Sequence, residues 1–347
     1  MKHVTVALDA MGGDRAPDIP VRAALRAATD HGIAVTLIGN QESIKAILVT
    51  ESYPDHLINI VDAPEHVSME DQAVKAVRGK RRASIPVGLE LLKSGDADVF
   101  LSAGNTGAVV ASSILSLGRL PGVDRPGIAI PIPTAKGPPL LLIDAGALVD
   151  PKPEQMWQHA RLATTFYVVA NQVSNPTVGL ISNGEESGKG NGLVRAVHKL
   201  LGDDEQLQFI GNVEPRAMPE RPCDILVTDG FTGNVILKTG EGIVNLVQES
   251  LRTEFKTRWY TSILATLLKP AIRRAGKALD YREYGGAPLL GVNGLVMIAH
   301  GGSDVTALVN GILTAARSAE RNTLAALATS LDSNVNAQSP NADDRSG

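Results

Sequence analysis

Aromatic residues are scarce in this 347-residue chain, at 3%, and cysteine occurs once, as Cys223. Hydrophobic residues still make up 44%, so an apolar core must be built from aliphatic side chains. The lone cysteine excludes an internal disulfide and a cysteine-based zinc cluster, and it fits a reducing compartment. A basic excess is also lacking. The formal net charge is -4, whereas a chain that tracks a phosphate backbone is usually basic. No nucleic-acid partner is therefore expected. The amino terminus runs from Met1 into a strand-like stretch without an apolar export segment, which points to the cytoplasm. The uncharged run from Val99 to Gly118 contains Ser102, Asn105, Thr106 and three glycines, so it reads as strand, loop and helix and not as a membrane span.

What is present is a regular alternation. Over the first 150 residues short β-branched runs alternate with helical patterns, the βαβ pattern of a mainly parallel sheet covered by helices. Strands are predicted at His3 to Leu8, Ile33 to Ile38, Asn59 to Val61, Val99 to Leu101, Gly127 to Ile132 and Leu140 to Ile143, with a helix over Pro17 to Asp30. A helix through Ala170 precedes further strands at Thr177 to Ile181, Gln208 to Ile210 and Ile225 to Val227. Lys238 to Lys256 reads as a helix, Gly294 to Ala299 as a last strand and Val305 to Leu327 as a closing helix. The expected organisation is one α/β domain over residues 1–331, with a polar, disordered tail over 332–347.

In open α/β sheets ligands bind beyond the carboxyl ends of strands, so the loops there are the candidates. Asp9-Ala10-Met11-Gly12-Gly13-Asp14 follows the first strand and pairs two glycines with two carboxylates. Either a turn with a helix cap or a ligand loop fits it. Ser102-Ala103-Gly104-Asn105-Thr106-Gly107 follows a strand and opens a small-residue helix, a suitable cradle for an anion; tight strand-to-helix packing is the structural alternative. Asp144-Ala145-Gly146-Ala147 and Asp229-Gly230-Phe231-Thr232-Gly233-Asn234 repeat the pattern. His300-Gly301-Gly302-Ser303-Asp304 places a histidine in a glycine loop. Such a ring of Gly, Asp, Asn and Thr is what a polar-ligand cleft requires.

Several named chemistries find no support. In Asn183 to Asn191 the interval from Gly184 to Gly188-Lys189 is one residue too short for a P-loop, and Gly190 replaces the magnesium-binding hydroxyl. Lys189 remains a candidate phosphate or oxyanion partner, or a solvated loop lysine. The nicotinamide fingerprint is missing after the first strand, no G-x-S-x-G elbow occurs, and the seven histidines show no metal-ligand spacing. No metal and no cofactor are expected.

Taken in order, Val6 to Asp14, Leu101 to Gly107 with Gly118-Arg119, Ile143 to Ala147, Cys223 to Glu241, Asp280 to Pro288 and Gly291 to Gly294 resemble the phosphate:acyl-carrier-protein acyltransferase family. The resemblance spans roughly residues 4 to 325, and it departs at Gly302, where the family pattern suggests serine, and at Pro215. It implies a three-layer αβα, Rossmann-like architecture similar to isocitrate and isopropylmalate dehydrogenases and to phosphotransacetylase, and a homodimer. The implied reaction joins an acyl group from acyl carrier protein to inorganic phosphate, for phospholipid synthesis. A thioester is already activated and hydrogen phosphate is a competent nucleophile, so no protein nucleophile is compulsory.

Under that reading Lys189, His300 and Asp229 are the catalytic candidates, with His300 protonating the leaving sulfur. Phosphate would lie against Gly104, Asn105, Thr106 and Gly107 and against Thr232, Gly233 and Asn234. Asp9, Gly12, Gly13, Asp14 and Asp144 would complete the binding site. A basic, apolar segment at about 251–279, around Trp259, Leu264 and Leu267 with Arg273 and Arg274, suits an interfacial helix. That segment could face a membrane surface, the carrier protein or a second subunit. Peripheral attachment to the inner face of the membrane would let acyl phosphate pass to a membrane glycerol-3-phosphate acyltransferase. The rivals are a coenzyme A-dependent phosphotransacetylase and a noncatalytic adaptor on the same scaffold.

Overall fold

The computed structural model describes residues 4–257, 268, 270, 271 and 284–335. In chain order the first half runs β1 Thr5–Asp9, α1 Asp18–His31, β2 Ala34–Gly39, α2 Gln41–Leu48, β3 Ile58–Asp62, α3 Ala73–Gly79, α4 Ser84–Ser94, β4 Val99–Ser102 and α5 Thr106–Leu117. There follow β5 Gly127–Ile132, β6 Leu140–Ile143, α6 Pro153–Asn171, β7 Thr177–Ile181, α7 Gly192–Gly202, β8 Gln208–Val213, β9 Ile225–Val227 and α8 Gly230–Thr257. The last described elements are β10 Ala287–Leu290, β11 Val296–Ile298, α9 Val305–Glu320 and α10 Thr323–Val335.

The strands form one eleven-stranded sheet in the order β3-β2-β1-β4-β11-β10-β5-β6-β9-β7-β8. From β3 to β11 and from β6 to β8 the neighbours are parallel. Between these blocks β10 runs antiparallel to both β11 and β5, and β5 antiparallel to β6. The expected mainly parallel sheet is thus two parallel blocks joined through a reversal. β10 was not foreseen, because Ala-Pro-Leu-Leu is short and carries a proline.

Alternation along each strand divides the core into layers. Val6 and Leu8 of β1 face α1 and α9, while Ala7 faces the side covered by α3, α4 and α5. In the second block Leu141, Ile143, Val178 and Leu180 pack under α6, α7 and α10, and Leu140, Leu142 and Leu226 point the opposite way. Helices therefore cover both faces, as a three-layer α/β fold requires. Phe100 is the one aromatic among the buried residues of the first two clusters, where it lies over Gly88. Each buried Leu, Ile or Phe in these layers contributes about 1.5–3 kcal/mol relative to exposure.

Three expectations change. The Asp229 to Asn234 stretch is not a loop: α8 begins at Gly230. The closing helix is two, since Asn322 takes a φ of 52° between α9 and α10. Helix α10 also continues to Val335, beyond the residue at which the tail was expected to start. Most of the basic segment at 251–279 lies outside the described residues; its first seven residues continue α8. Among the described residues no helix is long and apolar enough to cross a membrane.

Candidate functional site

The loop after β1 is closed by its own carboxylates and glycines. Asp9 is 1% exposed, and its Oδ1 accepts from the Met11 amide at 3.0 Å. Its Oδ2 accepts from Ser102 Oγ at 2.7 Å, and that hydroxyl in turn accepts from the Gly104 amide at 3.0 Å. The chain Asp9–Ser102–Gly104 thus ties the end of β1 to the turn after β4. Burial pushes the Asp9 carboxyl above its ordinary range, against the lowering effect of its hydrogen bonds. A Cβ on Gly12 would stand 2.6 Å from the Gly104 nitrogen, so the two backbones can meet only with glycine at that position.

The turn beyond Gly104 is capped and clamped by Asn105. Its Oδ1 accepts from the Ala108 amide at 3.0 Å, the N-cap bond of α5. Its Nδ2 faces three carbonyls, of Ser68 at 3.3 Å, Met69 at 3.1 Å and Asp71 at 3.3 Å. The Asn105 side chain is therefore spent on backbone, while Thr106 and Gly107 lie exposed in the first helical turn. The amides of that turn and the helix dipole behind them favour an anion.

The loop after β11 joins this group. The Asp14 amide donates to the Gly301 carbonyl at 2.9 Å. His300 Nδ1 accepts from the Gly302 amide at 3.0 Å, which assigns the ring proton of a neutral imidazole to Nε2. Nε2 lies 3.9 Å from Glu241 Oε1 on α8, and Lys238 Nζ lies 2.9 Å from the same carboxylate. Asp9, Gly12, Gly13, Asp14, Gly104, Asn105, Thr106, Gly107 and His300 thus form one contiguous loop group. The recess between Gly12, Gly13, Arg15 and Ser303 is water-sized, ≈ 10 Å³.

A second group forms where β6 and β9 end. Asp144 is 1% exposed; Oδ1 accepts from the amides of Ile128, Gly146 and Ala147, and Oδ2 from Leu148. Four backbone donors occupy this carboxylate, which holds its own loop in place. Asp229 caps α8 through the Thr232 amide at 2.8 Å. Gly233 lies so close that an added Cβ would stand 1.9 Å from the Asp144 carbonyl oxygen, and Asn234 flanks Gly146. Helix α8 connects the groups: it starts beside Asp144, buries Leu237 in the cluster containing Ile298 and Ala145, and reaches His300 at Glu241.

A model of the fatty acid synthesis protein family matches residues 4–326. The chain belongs to this family. A phosphate acyltransferase from Carboxydothermus hydrogenoformans is 43% identical over 320 residues, 92% of this chain and 96% of that protein. One from Nostoc is 41% identical over 310 residues, 89% and 91% of the two chains. Among solved structures, a phosphotransacetylase from Streptococcus pyogenes superposes with a TM-score of 0.63 at 17% identity, over 92% of this chain and 94% of that one. A 4-hydroxythreonine-4-phosphate dehydrogenase from Klebsiella pneumoniae gives 0.52 at 13%, over 91% and 98%. These two likenesses show the fold, and the fold is the α/β class expected from the sequence.

In this family member Lys189 falls in neither loop group. It is exposed on the turn after β7, with its side chain against Gly184, and the Lys189 amide donates to Glu186 at 3.0 Å. Cys223 is buried in the sheet core and burial pushes its thiol up to about 12, which leaves it protonated. Sequence reasoning missed Arg15, whose Nη2 reaches the Ser303 carbonyl at 3.5 Å, although it directly follows the first glycine loop. It also missed Glu241, for which a mid-helix position gives no signal.

Proposed function

We propose that this chain transfers a fatty acyl group from acyl carrier protein to inorganic phosphate, yielding acyl phosphate and free carrier for phospholipid synthesis. The observation that carries this reading is the first loop group. There the Asp9–Ser102–Gly104 network and the Asn105 clamp present the exposed first turn of α5, and the loop that carries His300 approaches Ala103, just before that turn, at Gly301. Family membership supports the reaction class.

A phosphate oxygen held at Thr106 and Gly107 attacks the thioester carbonyl carbon; the C–O bond forms and the C–S bond breaks. The thiolate takes up the proton that hydrogen phosphate loses on attack, and His300 Nε2–H, near Glu241, is the group in this loop set that can hydrogen-bond the leaving sulfur. Amides of the turn stabilise the negative charge on phosphate and on the developing oxyanion. Lys189, on the exposed turn after β7, and Asp229, the cap of α8, are assigned no step in this scheme. The buried Cys223 thiol is consistent with direct attack by phosphate.

The same reading includes a homodimer and contact with the inner membrane surface. Ile243, Leu246, Val247 and Leu251 form an exposed apolar stripe along α8 at helical spacing, which a second copy would cover. The basic segment that follows would supply the lipid contact. Asn105→Ala, which removes cap and clamp together, is expected to raise the phosphate KM about tenfold with the acyl-donor KM within twofold. An unchanged phosphate KM removes the α5 turn from the site.

A further inference from the structure

We propose that the outer face of α3 and the turn after it, bearing Lys75, Arg78 and Arg81, is the docking surface for the acidic carrier protein that delivers the acyl group. This inference rests on the acyl transfer reading above and adds the route by which the donor reaches the site. Five cations occupy residues 75–82, Lys75, Arg78, Lys80, Arg81 and Arg82, with no acidic residue between them. In a chain of net charge -4 such a run is a local field of opposite sign.

Two of the five are engaged internally. Lys80 Nζ pairs with Asp71 at 2.6 Å, holding that carboxyl below its ordinary range, and Arg82 lies 3.9 Å from Asp62. Lys75, Arg78 and Arg81 are exposed and have no carboxylate partner among the described residues. Of the apolar residues of the helix, Ala76 and Val77 are turned inward at 7% and 9% exposure and Ala73 is half-buried against Gly107. Among the described side chains of the helix, the exposed ones are therefore cationic. A surface of that kind docks an acidic protein through long-range steering and ion pairs, whereas an interfacial membrane helix needs an apolar face as well.

Position ties the patch to the site. A Cβ on Gly107 would stand 3.2 Å from the Ala73 side chain, so α3 sits on the first turn of α5. The same segment supplies the Ser68, Met69 and Asp71 carbonyls that hold Asn105. Helix α3 is about 10 Å long, so a carrier on its outer face lies within reach of a pantetheine arm entering beside Thr106. Exposed Met69, whose methyl lies near Gly301, offers an apolar contact at the mouth of that path.

Charge reversal in the full chain tests this. Labelled holo-acyl carrier protein is titrated by fluorescence anisotropy at low salt with wild type, with K75E and with the double variant R78E/R81E. In parallel, acyl phosphate formation is measured from acyl carrier protein and from an acyl-pantetheine thioester that lacks the protein. The double variant is expected to bind carrier at least tenfold more weakly and to lose kcat/KM on the carrier donor by a similar factor, with K75E intermediate. Its rate on acyl-pantetheine is expected to stay within twofold. Carrier affinity within twofold of wild type overturns the inference. So does an equal loss on both donors, or a variant that loses binding to anionic phospholipid vesicles while keeping carrier. A wild-type protein that forms no acyl phosphate from either donor refutes the acyl transfer reading itself, and the anisotropy still decides whether the patch binds carrier.

Discussion

Ser102→Ala removes one oxygen from the middle of a buried chain of three groups. Ser102 is 0% exposed and Asp9 1%, so neither Asp9 Oδ2 nor the Gly104 amide gains easy access to water when the hydroxyl goes. Leaving a buried polar group unpaired costs about 1–3 kcal/mol. Asp9 keeps its bonds to Ser84 and Met11, and its raised pKa lets it take a proton, so its share falls at the low end. The sum for both groups is about 2–4 kcal/mol, or ~4–8 °C in Tm at roughly 2 °C per kcal/mol for a large domain. Because Gly104 leads into the α5 turn, the same variant is expected to raise the phosphate KM by about tenfold. Thermal melts with phosphate-dependent kinetics measure both, and Asp9→Asn combined with Ser102→Ala gives a double-mutant cycle with coupling above ~0.5 kcal/mol. A Ser102→Ala protein with wild-type Tm and phosphate KM would refute the idea that this network holds the cradle.

Gly233→Ala pushes a methyl to 1.9 Å from the Asp144 carbonyl oxygen, so the start of α8 must move, and a loss of ~3 kcal/mol or more is expected by denaturant unfolding; Gly240→Ala, exposed within α8 and with open surroundings, is expected to gain ~0.5–1 kcal/mol. His159 is fully buried, and burial holds its pKa below the ordinary value despite nearby Asp144. Below about pH 6.5 the unfolded chain therefore binds a proton that the folded chain does not. Its contribution to stability is complete above that pH and falls as pH drops toward the folded-state pKa, by up to ~1.4 kcal/mol per unit. His159→Gln is expected to flatten the unfolding free energy between pH 6.5 and 5 relative to wild type; an unchanged slope contradicts the assignment.

The strands legible in the sequence are those whose local pattern and tertiary environment agree. Gly127–Ile132, Leu140–Ile143, Thr177–Ile181 and Ile225–Val227 are aliphatic runs bounded by turn residues, and their predicted limits coincide with the observed ones. β10 escaped because four residues with a proline carry no period, yet its antiparallel pairing on both sides joins the two parallel blocks. The first turn of α8 reads as a loop because Gly-Phe-Thr-Gly-Asn is poor in helix formers. Asp229 capping and the close approach of Gly233 to Asp144 override that propensity. Glycine loops were legible as a set, but not their partition into two groups joined by α8, which depends on the strand reversal.

Phosphate itself is the proposed acyl acceptor. Purified protein, long-chain acyl carrier protein and inorganic phosphate are incubated together, and acyl phosphate is trapped with hydroxylamine while free carrier thiol is titrated. Hydroxamate is expected only when donor and phosphate are both present, with one thiol released per acyl phosphate formed. Thiol release that is independent of phosphate, with free fatty acid as the product, would contradict that role for phosphate.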